Sequence, residues 1–248
     1  LTYVLIVVPI SVALGLGSAL LISSLRIGNE LYKAIFFLPV MATLLAMAIV
    51  WEFALNPIMG VVNDILRSGC DKRLIYGFFT GAWYGADPLQ SWYGTACADK
   101  FPIWLGDKRY ALGTIAFIGI WQGFGFNMVL YLAGLTSVPR ELYQAAHMDG
   151  ADSAWERFKL VTWPMLGPTH VFVITISSIR SFQVFDTVEA LTEGGPSKST
   201  YVMVYAMFEK GVRQNLLGIG SAITIVFLAF VLVLTLIQVY FVNRRVHY

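Results

Sequence analysis

Two groups of polar side chains sit inside long apolar stretches of this chain, and the chemistry they could do is non-covalent. The first is Gln122 and Asn127 with the aromatic Phe126, beside the glycine-rich run from Gly119 to Gly125. The second is Ser177, Ser178, Arg180, Ser181, Gln183 and Asp186. Amides, hydroxyls and an aromatic face suit a polyhydroxylated solute, whose O–H groups need donors and acceptors while its C–H faces stack. A polar group among apolar ones is costly unless it meets a partner or a water-filled cavity. Each residue therefore lines a path or makes a hydrogen bond between helices, and both readings stay open. Arg180 has two readings of its own: recognition of a phosphate, sulfonate or carboxylate, or a structural pair with Asp186, Glu189 or a carboxylate on a partner subunit. No catalytic residue and no metal site is expected, since there is no CxxC and His147, His170 and His247 lie in separate segments. Gly195-Pro196-Ser197-Lys198-Ser199 lacks the glycine before lysine that a phosphate loop needs, so the chain is not expected to bind ATP itself.

The elements that must position these residues are membrane helices. Hydrophobic residues make up 57% of the 248 and charged ones 13%, against roughly 25% charge in soluble domains. Runs without Asp, Glu, Lys or Arg cover 1–25, 34–51, 111–139, 160–179 and 214–243, each near or above the ~18 residues of a membrane-spanning helix. The backbone must satisfy itself in hydrocarbon, so helices are expected, and no alternation suggests a barrel. The fold class is thus an all-α polytopic bundle, with spans at about 2–24, 33–54, 112–136, 166–188 and 217–242. Leu1 lies directly inside an apolar run, with neither the basic start nor the cleavage site of a signal peptide.

Orientation follows from basic residues near short connections. Arg26, Lys33, Arg140, Arg157, Lys159, Arg244 and Arg245 are dense there, while the other Lys and Arg residues are diluted over longer stretches. Long loops count little in the positive-inside rule, so the short loops and the C-terminus are expected to be cytoplasmic. The chain then reads as one transmembrane domain, 1–248, with an external loop at 55–111 and a cytoplasmic loop at 137–164. Trp83, Tyr84, Trp92, Tyr93 and Trp104 of the external loop are interfacial aromatics or a docking surface. Cys70 and Cys97 share that loop, where an oxidising compartment and an even count allow a disulfide; two independent thiols are the alternative.

The cytoplasmic segment Tyr143 to Pro164 is polar and carries two turn signals. Ser137 and Pro139 look like helix-start residues, and Leu142, Ala145 and Ala146 fall on one face of the helix that follows. Gly150 stops that helix, and Ser153 with Glu156 forms a capping box that starts a second. An amphipathic helix lying on lipid is the alternative, but it would want large apolar and basic residues where Asp149 and Asp152 stand.

This segment closely resembles the EAA loop of permease subunits in bacterial binding-protein-dependent ABC importers. Gln144-Ala145-Ala146 stands for EAA, Gly150 for its glycine and Val161-Thr162-Trp163-Pro164 for I-x-L-P. Gln144 and Trp163 depart from the usual Glu and Leu. The resemblance extends over Tyr32 to Pro39 with Trp51 and Asn56-Pro57, then Trp121-Gln122-Gly123-Phe124 and Leu132-Ala133-Gly134-Leu135. Ser181 to Asp186 and Leu191 to Pro196 are similar to the carbohydrate-uptake branch, of maltose and glycerol-phosphate permease type. Only about 67–100 has no counterpart.

The resemblance implies a type I importer permease in the bacterial inner membrane, for a saccharide or related polyol. An anionic solute such as glycerol 3-phosphate or an acidic sugar is the alternative, since many relatives have a small residue where Arg180 stands. It implies cavity-lining roles for Gln122, Gly123, Phe126, Ser177, Ser181, Gln183 and Val184. It implies ATPase contacts from Gln144 to Asp152, with Ala145, Ala146, Asp149, Gly150 and Ala151 between them. A second homologous permease, two ATPase subunits holding ATP and magnesium, and an extracytoplasmic solute-binding protein are the implied partners; no nucleic acid is. The family core has six spans, so one is expected before Leu1. An ion-coupled secondary transporter would need mid-membrane carboxylates, and the apolar runs contain no Asp or Glu. A membrane scaffold or insertase would not need the loop.

Overall fold

The computed structural model describes residues 1–25, 28–63, 65 and 102–243, and among them every regular element is helical. Among the described residues, four helices are long and apolar enough to cross a membrane, or five if one broken pair counts as a span. Helix α1 runs Thr2–Ser24, α2 Asn29–Met41, α3 Leu44–Ala54 and α4 Ala111–Thr136. Next come α5 (Arg140–Met148), α6 (Ala154–Arg157) and α7 (Trp163–Met165), the last two joined by a π-turn at Phe158–Thr162. Then follow α8 (Gly167–Phe182), α9 (Asp186–Leu191) and α10 (Met203–Phe208), a π-turn at Glu209–Arg213, and α11 (Leu217–Asn243). The first, third and fifth expected spans match α1, α4 and α11 to within about a residue. The other two are interrupted.

The expected span at 33–54 is two helices, because α2 ends at Met41 and Ala42 turns extended. Pro39 removes a backbone donor from the last turn of α2 and cannot strengthen it. The expected span at 166–188 is present as the apolar stretch Gly167–Leu191, with its helical bonding interrupted at Gln183, Val184 and Phe185 between α8 and α9. There the Gln183 N–H donates to both Ile179 and Arg180 carbonyls, a tightened final turn.

The chain divides into two compact units: 1–43, 115–185 and 202–248 form the first, 44–114 and 186–201 the second. In the first, α1 and α4 run parallel: Tyr3 meets Gly119, Ser11 meets Asn127, and Ile22 shares a buried cluster with Tyr131. α8 runs against both, with Ser177 on Asn127 and His170 on Tyr131. α11 runs against α8, pairing Phe230 with Phe182 and Gln238 with Ser178. The C-terminal ends of α1, α4 and α11 therefore emerge together with the start of α8. Ala19, Ile22, Met128, Tyr131, Leu166 and Val173 form the buried centre. Small residues bring the backbones close: a side chain at Gly15 would lie 2.6 Å from Asn127 Cβ, and one at Gly125 would meet the Phe36 carbonyl oxygen.

In the second unit α3 packs on α9. Trp104 donates its indole N–H to the buried Asn63 at 2.7 Å, so this aromatic of the external loop is held internally. Thr192 and Thr200 share a hydrogen bond of 2.8 Å, and Thr200 Oγ1 donates to the Gly195 carbonyl at 2.7 Å, closing the Gly-Gly-Pro segment on itself. Trp83, Tyr84, Trp92, Tyr93, Cys70 and Cys97 lie outside the described residues, as do Arg26, Arg244 and Arg245.

Candidate functional site

The loop between α4 and α8 is built as a self-contained unit. α4 ends with Ser137, whose hydroxyl donates back to the Gly134 carbonyl at 2.7 Å rather than capping the next helix. Pro139 takes the cap position of α5, a correction to the expected roles of both residues. At the other end of α5, Gly150 adopts φ +90°. Its N–H donates to His147 O at 3.1 Å and the Ala151 N–H to Ala146 O at 2.9 Å. These are the paired bonds of a Schellman motif, with Gly in the left-handed position. The capping box of Ser153 and Glu156 is present and starts α6. Val138, Ala146, Ala151 and Val161 form a small core with Tyr143 against it, and the Tyr143 and Thr162 hydroxyls share a hydrogen bond of 3.0 Å.

That core sorts the expected contact residues. Ala146 and Ala151 are buried inside the loop, so they brace it rather than face outward. Gln144, Ala145, Asp149, Gly150 and Asp152 are exposed. Met148 is 86% exposed, a large apolar side chain presented at the tip of the turn. His147 Nδ1 lies 2.9 Å from Asp152 Oδ1 and straps the turn from outside.

The expected path residues also divide. Asn127 is 2% exposed and Ser177 7%. Ser177 donates to Asn127 Oδ1 at 2.9 Å, Asn127 Nδ2 donates to Ser11 Oγ at 3.4 Å, and Ser11 Oγ donates to the Val8 carbonyl at 3.2 Å. Asn127 and Ser177 thus hold α1, α4 and α8 together, which is the helix-to-helix reading left open by the sequence. Ser181 is buried. Gln122, Gly123, Phe126 and Val184 are half-buried, and Arg180, Gln183 and Asp186 are exposed. A side chain at Gly123 would meet no atom within 4 Å, so this glycine borders open space, unlike Gly125. The Arg180 guanidinium lies over the Phe126 ring, 4.5 Å from its centroid, joining the end of α8 to α4. Asp186 lies in the second unit. Non-helical backbone at membrane depth is tolerated where it lines a cavity or is covered by protein, which fits the exposed break at Gln183.

Residues 2–247 match the family described as the binding-protein-dependent transport system inner membrane component. The chain belongs to this family. The permease is 30% identical over 240 residues to an sn-glycerol-3-phosphate transport system permease protein, UgpA, of Brucella abortus, covering 95% of this chain and 72% of the relative. It is 33% identical over 235 residues to the trehalose/maltose transport system permease protein MalF of Thermococcus litoralis, covering 94% and 68%. In fold it is similar to a chain of a bacterial ABC transporter involved in the import of the acidic polysaccharide alginate. That match has a TM-score of 0.74 at 22% identity, over 98% of this chain and 77% of the other. The permease is an inner-membrane transport subunit with an ABC importer permease fold, and the system it belongs to depends on a binding protein.

Several residues that matter here escaped the sequence reading. Ser11 gave a signal, as a hydroxyl in an apolar run needing a partner, but the partner lies 116 positions away. Tyr131 and His170, hydrogen-bonded at 2.9 Å between α4 and α8, gave none until the helices were placed. Trp163, in the I-x-L-P segment, sets its ring 4.5 Å from that of His170. A chain of contacts therefore leads from the loop to α4.

Proposed function

We infer that this permease pairs with a second homologous permease and two ATPase subunits, and moves a saccharide or related polyol delivered by a solute-binding protein. Gln122, Gly123, Phe126, Arg180, Gln183 and Val184 line the path, with Ser181 beside it. The exposed face of the loop from Gln144 to Asp152 seats in the ATPase, on the cytoplasmic side with the C-terminus. ATP and magnesium stay on the ATPase subunits. Closure of those subunits pushes the loop; α4 and α8 follow, and the cavity alternates between outward and inward openings. The observation that carries the coupling half is the braced loop with its exposed apolar tip, Met148. The solute class rests on the relatives, which include glycerol-phosphate and trehalose/maltose permeases. Proteoliposomes holding the whole importer should take up a labelled saccharide or polyol only with internal ATP and external binding protein. ATP-independent uptake driven by an ion gradient would overturn the reading.

A further inference from the structure

We propose that Arg180 sets specificity by reading an anionic oxygen group, phosphate or carboxylate, on the solute; this rests on the saccharide or polyol reading above. Arg180 is exposed, and its guanidinium carbon lies over the Phe126 ring, 4.5 Å from the centroid. Among the described residues of its own unit, no carboxylate lies in ion-pair range of it. A charge at membrane depth persists where it has a partner or faces a watered cavity. A cation–π contact does not use up the five N–H donors of a guanidinium, so a two-pronged contact with an oxyanion remains open to it.

The surroundings sharpen this. Asn127 and Ser177 are hydrogen-bonded to each other and to Ser11, which takes two neutral polar groups off the path. On the same two helices, Gln122 and Gly123 lie about one turn before Phe126, and Gln183 follows Arg180 at the end of α8; a side chain at Gly123 would meet nothing within 4 Å. A neutral saccharide gains no charge-assisted contact from Arg180, whereas a small polyol or sugar bearing one negative group does. A cation near a helix C-terminus is favourable whatever the solute, so the test has to read selectivity and not stability.

The complete importer, purified in lipid nanodiscs, is probed by saturation-transfer NMR with two matched pairs: sn-glycerol 3-phosphate against glycerol, and glucuronate against glucose. The anionic member of at least one pair should bind about tenfold tighter than its neutral partner, the scale of hydrogen bonds to a charged group. The pair showing the preference tells phosphate from carboxylate. Arg180→Gln should erase the preference, and Arg180→Lys should keep part of it. Equal binding within both pairs, or an undiminished preference in Arg180→Gln, overturns this proposal and leaves the saccharide or polyol reading standing. Binding of none of the four compounds, in a complex that hydrolyses ATP, also overturns this proposal, while the wider reading falls only with the uptake assay above. If Arg180→Gln fails to assemble, the wild-type pairs still decide, together with Phe126→Leu, which should weaken the preference by removing the stacking face.

Discussion

Gly150 shows how one residue can matter through its backbone alone. A side chain there would touch nothing, yet its φ is +90°, a region that costs a β-branched residue about 1–3 kcal/mol. Gly150→Val should therefore keep the complex assembled but uncouple ATP hydrolysis from uptake, measured as ATP consumed per solute moved. An unchanged ratio would remove the turn from the coupling role. Gly123 and Gly125 make the opposite pair. Gly125→Ala drives a methyl group into the Phe36 carbonyl and should abolish folded complex on gel filtration, while Gly123→Ala has room and should assemble normally. The sequence presented these two glycines as equals, because which faces a neighbouring backbone depends on helix rotation.

Among the elements, the loop and the three-helix clamp carry the sharpest expectations. Tyr143→Phe removes the hydrogen bond to Thr162, worth about 1 kcal/mol, and should speed proteolysis between 137 and 164 without disturbing the spans. Asn127→Leu strands the Ser177 hydroxyl, while Ser11 keeps its bond to the Val8 carbonyl, and should cost about 1–3 kcal/mol. Its effect should appear as a lower melting temperature, with solute preference retained; a change of preference instead would return Asn127 to the path. Charge-free runs made α1, α4 and α11 legible almost to the residue. They said nothing of the interruptions at Ala42 and Gln183, since hydropathy averages over side chains and a break is a backbone event. The capping box was legible because its two side chains bond locally; Ser137 misled because a serine can close the helix behind it as readily as open the next.

In the whole molecule, the ends of α1, α4 and α11 share one side with the loop. Met148→Cys, in a background with Cys70 and Cys97 replaced by Ser, should react with a membrane-impermeant maleimide only after the cells are opened. Reaction should be suppressed when the ATPase subunits are present. Labelling of intact cells would invert the proposed orientation. Fold class and family resemblance were legible across nearly the entire chain. The rotation of each helix was not, and rotation alone decided that Asn127 and Ser177 are buried against each other while Gln122 is half-buried and Arg180 exposed.

α11 touches α8 and α10 along narrow seams and turns Ile225, Val226, Leu228, Leu232, Val233, Leu236 and Ile237 outward. In a saturation library these seven positions should accept almost any exchange among Leu, Ile, Val, Met and Phe. Intolerance should be strongest at Gly220, pressed on the Gly211 backbone, and at Gln238, which donates to Ser178. A helix that the bilayer reads mainly by its hydrophobicity is free to drift in spelling, so its fitness landscape should be a plateau broken by two narrow wells.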